Sequence, residues 1–569
     1  MTNDQFIQQF GHFVEAPSGI QKLRELILQL AVQGKLVEQS SSDEPANVLL
    51  EKTVSKRAEL IKDKTIRKTK APALPDEIPR HEIPSTWVWT SLYEIGEIGP
   101  RNVADDEVDS SFVPMPLISD NYGAAVQHEV RPWKEIKSGF THFKDEDVVL
   151  GKITPCFQNG KSAVMRGLTN GFGAGTTELH VYRAIYSCTV PEYVLIYLKS
   201  PGFIIEGIPK MTGTAGQKRI TRDYFAGNHF PLPPLGEQHR IVAKVDELMA
   251  LCDQLEAERN AREEIHQTLI RAVHHPLTEA SDTTSTQTAW HRIWDNFADL
   301  YTTLESVQTL RQTILQLAVQ GKLVPQDPND EAVHALVDVI KNEKKQKIAE
   351  KKIKKEKPFP EISGIDEIKS SIPSHWSWLH LNDIASIVRG GSPRPAGDPR
   401  FYGGNIPFLK VGDITSSKGK MVDGYAHTIT KAGLHKTRLI SDATVLLTNS
   451  GATLGVPAIC DFATTFNDGI AAFIFLTNHV EKEYLYLYLK SKSKWFLEFA
   501  SRGQGQPNLN TDIIRATWFP LPPINEQRRI VTKVDDLMNI CDQLEANIRE
   551  KNHIATNYTE AVVHQIAAA

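Results

Sequence analysis

The sequence of this chain repeats itself. Phe230-Pro-Leu-Pro-Pro-Leu-Gly-Glu-Gln-His-Arg-Ile-Val-Ala-Lys-Val-Asp-Glu-Leu-Met249 returns as Phe519-Pro-Leu-Pro-Pro-Ile-Asn-Glu-Gln-Arg-Arg-Ile-Val-Thr-Lys-Val-Asp-Asp-Leu-Met538. Leu23-Arg24 with Ile27-Leu-Gln-Leu-Ala-Val-Gln-Gly-Lys-Leu-Val37 returns as Leu310-Arg311 with Ile314 to Val324. Ile83-Pro-Ser-Thr-Trp-Val-Trp89 returns as Ile372-Pro-Ser-His-Trp-Ser-Trp378. A solenoid unit runs roughly 20–50 residues. A period near half the chain is instead a tandem duplication of one large unit. Between the matched blocks lie two long stretches that differ almost throughout. A constant frame with two divergent inserts is the plan of a chain that holds two different readers at a fixed distance.

The 569 residues allow about three or four domains. No run approaches the ~18 apolar residues of a membrane span, and Met1-Thr-Asn-Asp-Gln-Phe lacks the build of a signal peptide, so a cytoplasmic protein is expected. The five cysteines, Cys156, Cys188, Cys252, Cys460 and Cys541, form no Cys/His cluster and read as reduced thiols without a metal. The net charge of −5 weighs weakly against a nucleic-acid partner, but its distribution matters more. Lys341 to Lys357 is strongly basic, as is the matching stretch Lys52 to Lys70, and both immediately precede a divergent insert. Each reads as a solvated helix face or as a set of phosphate contacts; repetition at equivalent places favours the second.

Five segments follow along the chain: helical residues 1–85, insert 86–235, a central region 236–371 with a long helix, insert 372–523, and a C-terminal long helix 524–569. Helical spacing from Leu23 onward predicts a helix closed by Gly34, and in the second copy by Gly321. Short apolar and β-branched runs, such as Val148 to Leu150 and Ala471 to Leu476, alternate with Gly, Asn, Asp and Pro. This predicts α/β or α+β inserts, each with a helix, at Pro191–Lys199 and Glu481–Lys490. After each Leu-Pro-Pro a heptad seam opens: Ile241, Val245, Leu248, Cys252, Leu255, then Leu269 and Val273; Ile530, Val534, Leu537, Cys541, Leu544, Ile548, then Tyr558 and Val562. About 39 helical residues span roughly 58 Å. The expected arrangement is an antiparallel two-helix coiled coil between two globular domains, with pseudo-twofold symmetry; burial of the seam against a globular domain is the alternative. Symmetry also requires the first and last segments of the chain to pack together.

These blocks resemble the conserved regions of the specificity subunit of type I restriction–modification enzymes, over essentially the whole chain. The strongest parts are Leu-Pro-Pro-x-x-Glu-Gln-x-x-Ile-Val before a long helix and Gln-Leu-Ala-Val-Gln-Gly-Lys-Leu-Val, each present twice. In the second insert, Arg389-Gly-Gly-Ser-Pro393, Tyr402 to Phe408, Asn449 to Gly455, Asn467-Asp-Gly469 and Gly505-Gln506 with Asn508 to Asn510 resemble that family's recognition domain. The first insert departs from that opening and is similar to another subclass, through Gly151 to Ser162, Gly173 to Glu178 and Thr212 to Ile220. The resemblance implies a non-catalytic chain whose two recognition domains each read one half of a bipartite site in double-stranded DNA. It implies that the helices set the gap and that two modification (methyltransferase) subunits dock, joined by two restriction subunits. S-adenosylmethionine, ATP and Mg would belong to those partners and no cofactor to this chain.

Gly160-Lys161-Ser162 is not a phosphate-binding loop, because Pro155 stands where that motif needs Gly. The loops before Leu-Pro-Pro are the sharper candidates: Gln217, Lys218 and Arg219 in the first insert, Gln506 and Asn508 in the second. Gln can pair with adenine and Arg with guanine, although Gln217 and Gln506, aligned in both copies, could equally brace the domain. Arg219 and Asn508 differ between copies, which suits specificity. Lys152, Lys161, Arg389, Arg394, Lys410 and Arg502 lie in Gly- and Pro-containing loops as contacts or as solvated charges. Gln29, Gln33 and Lys35, with Gln316, Gln320 and Lys322, are expected off the apolar face as two equivalent partner-docking surfaces. A stand-alone bipartite DNA-binding regulator and a coiled-coil adaptor are the rival readings; neither explains all the repeated features.

Overall fold

The computed structural model describes residues 11–73, 82–214, 216–279, 283–355, 358–360, 362–500 and 508–568. They form two compact units: Met1–Glu263 with Glu550–Ala569, and Glu264–Arg549. Among the described residues no helix is long and apolar enough to cross a membrane, and no group of three or more His, Cys, Asp or Glu could hold a metal ion.

In the first unit the apolar stripe of Gly19–Val32 makes an α-helix, with Leu23, Leu26 and Ile27 wholly buried. It ends at Gly34 in the left-handed region, at φ 71°. A Cβ there would lie 2.5 Å from Pro84 Cγ and 3.2 Å from the Trp87 ring. Trp87 in turn neighbours the buried Glu237, which also accepts from Gln39 Nε2 at 2.7 Å. The three repeated motifs therefore meet at one junction. The second unit rebuilds it: Gly321 (φ 70°) lies under Pro373 and Trp376, and Trp376 Nε1 donates to Glu526 Oε2 at 2.9 Å. Gln326 donates to Glu526 Oε1 at 2.8 Å. The next residue of each Glu-Gln pair is a fully satisfied buried amide. Gln238 accepts from Val190 N and donates to the carbonyls of Cys188 and Pro233; Gln527 accepts from Glu481 N and donates to those of His479 and Pro522. Motif identity between the copies thus follows from internal packing.

The inserts are α+β domains. In the first, β1 (Val88–Thr90) pairs with β10 (Phe230–Leu232) and closes the domain. Between them come β2 (Gly96–Ile98), β3 (Asp109–Val113), β4 (Glu129–Pro132), β5 (Thr141–Lys144), β6 (Val148–Gly151), β7 (Ser162–Val164), β8 (Phe172–Gly175) and β9 (Leu179–Ala184). They make two sheets of order β2-β9-β6-β7 and β4-β3-β8-β5, with only the β3–β8 pair parallel. The second insert holds β11 (Ser377–His380), β12 (Ser386–Arg389), β13 (Tyr402–Leu409), β14 (Thr428–Ile429) and β15 (Arg438–Ile440). It continues with β16 (Thr444–Thr448), β17 (Pro457–Cys460), β18 (Thr464–Phe466), β19 (Ile470–Ile474) and β20 (Trp518–Leu521). Their order is β11-β20, β12-β19-β16-β17 and β14-β13-β18-β15, again with one parallel pair, β13–β18. Two divergent sequences share one topology. The expected helices lie at Pro191–Lys199 and Lys482–Ser491.

The long helices, Leu235–Glu279 and Ile524–Ala568, each run 45 residues, longer than expected because they open directly after Leu-Pro-Pro and continue further at their C-terminal ends. Ile241, Val245, Leu248 and Cys252 are wholly buried in the first unit's core. There they lie beside the Gly19–Val32 helix, whose Arg24 pairs with Asp253 and Glu256 at 2.7 and 2.9 Å. Arg311 pairs likewise with Asp542 and Glu545. The opening of each seam thus buries against its own unit. Further along, the expected Leu269 and Tyr558 are 49% and 55% exposed, and Ile270 and Thr559 are buried instead. An α-helix drifts ~20° per heptad from a strict seven-residue repeat, which moves the buried face by one residue over this length. Val562 and Val563 pack against the core that holds Phe13 and Ile20, so the first and last segments of the chain do meet. In the second unit the same place is taken by Ile270 and Leu277, with His274 between Thr313 Oγ1 and Tyr301 Oη at 2.7 Å each.

Candidate DNA-recognition loops

In the first insert the β6–β7 loop is zipped to the segment Met211 to Ile220. Lys152 N donates to the Glu178 carbonyl at 2.9 Å, Ile220 N to the Lys152 carbonyl at 2.8 Å, and Thr154 N to the Lys218 carbonyl at 2.9 Å. The backbone thereby brings together Lys152, Gln217, Lys218 and Arg219. Gln217 and Lys218 are exposed. Arg219 is half-buried and engaged: its Nε and Nη2 hold both oxygens of Glu178 at 2.8–3.1 Å, its Nη1 donates to the Gln217 carbonyl at 3.2 Å, and the guanidinium keeps the Glu178 carboxyl below its usual range. Lys161 stands at the far end of the loop, half-buried, its carbonyl accepting from Gly151 N.

Lys199 was missed. Its ammonium is buried and donates to the carbonyls of Ser119, Asp120 and Gly160 at 2.9–3.3 Å, pinning the β6–β7 loop to the β3–β4 loop. Burial lowers its pKa to about 7. No periodicity marks it, because the helix before it is buried on every side from Tyr193 to Leu198. Arg101, in the loop after β2, was missed as well. It occupies the place that Arg389 and Arg394 take around the end of β12, and lies 3.2 Å from His142 Nε2.

In the second insert the loop after β12 lies against the turn Asn467-Asp468-Gly469. Gly391 N donates to the Phe466 carbonyl, Arg389 Nε to the Asp468 carbonyl, and Ser392 Oγ to Asp468 Oδ1 at 2.6 Å. Arg394 is exposed beside the same Asp468, whose carboxyl is held low by Ser392 first and by both arginines after it. Lys410 enters through its neighbours: Asn467 N donates to the Leu409 carbonyl. Asn508 is exposed and bridges Ser450. Arg389, Arg394, Lys410 and Asn508 are thus gathered around one turn. Arg502 and Gln506 lie outside the described residues.

Each basic run ends its helix in a left-handed residue, Lys64 and Lys351, both at φ 59°, and continues as a strap. In the first unit Arg222 donates to Thr69 Oγ1 and the Lys70 carbonyl, and Pro72 lies on Gly227. The helix Arg222–Gly227 directly follows the Met211 to Ile220 segment. In the second unit Phe359 lies on His380 and under Arg515, within the helix Thr511–Ala516. Lys62, Lys64, Arg67, Lys68 and Lys70, and in the second copy Lys351, Lys354 and Lys355, are exposed. Each strap packs against the short helix that follows the closing loop of its domain.

The docking residues fare unequally. Gln29 and Gln33 are buried, and Gln29 Oε1 accepts from Gly202 N at 3.0 Å, because the recognition domain packs over that turn. Lys35 and Gln316 are exposed, Gln320 is half-buried, and half-buried Lys322 donates to the Thr278 carbonyl. Two equivalent polar surfaces are therefore absent at the first two positions.

Residues 84–265 and 373–552 each match the type I restriction modification DNA specificity domain. The chain belongs to that family. It is 38% identical over 561 residues to the type I restriction enzyme EcoAI specificity subunit of Escherichia coli, covering 96% of this chain and 94% of the relative. To the EcoEI specificity subunit of Escherichia coli it is also 38% identical, over 568 residues, with the same coverage. Among solved structures it resembles a chain from a study titled "Structural basis underlying complex assembly and conformational transition of the type I R-M system". That match has a TM-score of 0.51 at 19% identity, over 87% of this chain and 99% of that one, and it speaks for the fold alone. The family's two domain copies coincide with the two ten-strand inserts and the opening of each long helix.

Proposed function

We propose that this family member is the sequence-reading subunit of a type I restriction–modification complex. Each recognition domain reads one half of an asymmetric, split site in duplex DNA, and the long helices set the gap. The observation that carries this is the pairing of one strand topology with two different sets of loop side chains: one scaffold, two reading surfaces. The straps supply phosphate contacts that position without specifying. Chemistry belongs to two modification subunits, which bring S-adenosylmethionine, and to two restriction subunits, which bring ATP and Mg. The modification subunits dock on the repeated blocks through residues still facing solvent, Lys35 and Gln316 among them.

The test is selection of bound sequences from random duplex DNA by the full-length chain with its own modification subunit. Two unlike half-sites at a fixed gap are expected. A single contiguous motif, or none, would refute the reading.

A further inference from the structure

The two recognition domains build one hydrogen-bonded frame from different residues. In the first, the Lys152 amide donates to the Glu178 carbonyl, and its own carbonyl accepts from Ile220 N. In the second, the Asn449 amide donates to the Gly469 carbonyl, and its own carbonyl accepts from Leu509 N. One residue on, Ile153 bridges Arg219 and Ser450 bridges Asn508. Glu178 and Gly469 each stand directly before the matching strand, β9 or β19. Positions 152, 178 and 219 are therefore the structural equivalents of 449, 469 and 508. A constant offset along the sequence aligns only the last pair, because the intervening loops differ in length.

The side chains set on this frame are chemically unlike. The first domain carries an ammonium, a carboxylate and a guanidinium, with the half-buried Arg219 held by both oxygens of Glu178 through Nε and Nη2. The second carries two amides and a glycine. Asn508 is exposed, while Asn449 is wholly buried with neither atom of its amide hydrogen-bonded. Asn467 Oδ1, close to Gly469, is also without a partner. Buried amides in folded proteins are almost always paired, so this pair of orphans next to an exposed amide marks a place prepared for a partner from outside the chain.

We propose that this frame is the base-reading element of each domain, with Arg219 reading a guanine, positioned by Glu178, and Asn508 reading an adenine on the frame that also carries the unpaired Asn449 amide. The inference rests on the DNA-reading function proposed above. Arg suits the two acceptors on the major-groove edge of guanine, and Asn the acceptor–donor pair of adenine. Lys152 adds a second cation on the guanine side, where the second domain has an amide.

The test uses the full-length chain with its own modification subunit and a random duplex pool, comparing base preferences for wild type, R219N, E178Q, N508L and N449L. Arg219→Asn should reduce discrimination for one guanine in one half-site by roughly 5- to 150-fold, leaving the other half-site unchanged. Asn508→Leu should do the same for one adenine in the other half-site. Glu178→Gln and Asn449→Leu should alter the same positions as the Arg219 and Asn508 variants, which a merely structural role would not do. Uniform weakening on all sequences, unchanged preferences, or loss at a base of the other kind would overturn the inference. Absence of any sequence preference in the wild type would instead refute the DNA-reading function itself.

Discussion

Replacing Gly34 by alanine probes the junction that makes the repeated motifs necessary. Two costs add. At φ 71° an L-residue sits in the left-handed region, a penalty of roughly 1–2 kcal/mol. The new Cβ also meets Pro84 Cγ at 2.5 Å and the Trp87 ring at 3.2 Å, an overpacking of about 1–3 kcal/mol. Gly139 separates the terms: it has φ 80° but nothing within 4 Å of its Cβ position, so Gly139→Ala carries the first cost alone. Gly321, with Pro373 Cγ at 2.5 Å, should behave as Gly34 does. In thermal unfolding followed by circular dichroism, units of this size lose about 2–4 °C per kcal/mol. Gly34→Ala and Gly321→Ala should therefore lower a midpoint by about 4–20 °C, and Gly139→Ala by about 2–8 °C. Gly34→Asn should not rescue, since asparagine tolerates the backbone but keeps the clash. If Gly34→Ala unfolded no earlier than Gly139→Ala, the packing of the three motifs at this point would be wrong.

Neutralising Lys64, Arg67, Lys68 and Lys70 to glutamine should flatten the slope of log affinity against log salt by up to about 3.6 on nonspecific duplex DNA; an unchanged slope would place the strap away from phosphate. His274 is held neutral by burial, its pKa lowered to about 4. Below the ordinary histidine range near 6.5 the unfolded chain then binds the extra proton, so stability is full above that range and falls as pH drops towards 4, by about 3 kcal/mol. Urea titrations should show that component missing in His274→Gln. Inserting one heptad into each long helix should lengthen the preferred gap and leave both half-sites unchanged, as read by selection from random DNA.

The duplication, the helices and the cap glycines are legible in the sequence because they depend on local periodicity and on φ. Leu269 misled because a seven-residue repeat is not the period of a straight helix. The shared strand topology was hidden, since inserts with unlike sequences satisfy the same ladder bonds with different side chains. The base-reading frame was hidden for a related reason: Lys152 and Asn449 are matched by their backbone partners, not by spacing. The pairing of Arg219 with Glu178 was not legible because the two stand far apart along the chain. Nothing in the sequence singled out Lys199 at the end of its helix, yet three carbonyls from two loops surround it.

The most direct measurement of the central claim is the motif bound by a chain in which residues 375–523 of the second insert are replaced by a second copy of the equivalent residues 86–234. The common topology and the repeated junction allow the exchange. With its own modification subunit, the account predicts that selection from random duplex DNA turns from an asymmetric split site into an interrupted inverted repeat of the first half-site. Retention of the asymmetric wild-type motif would contradict it.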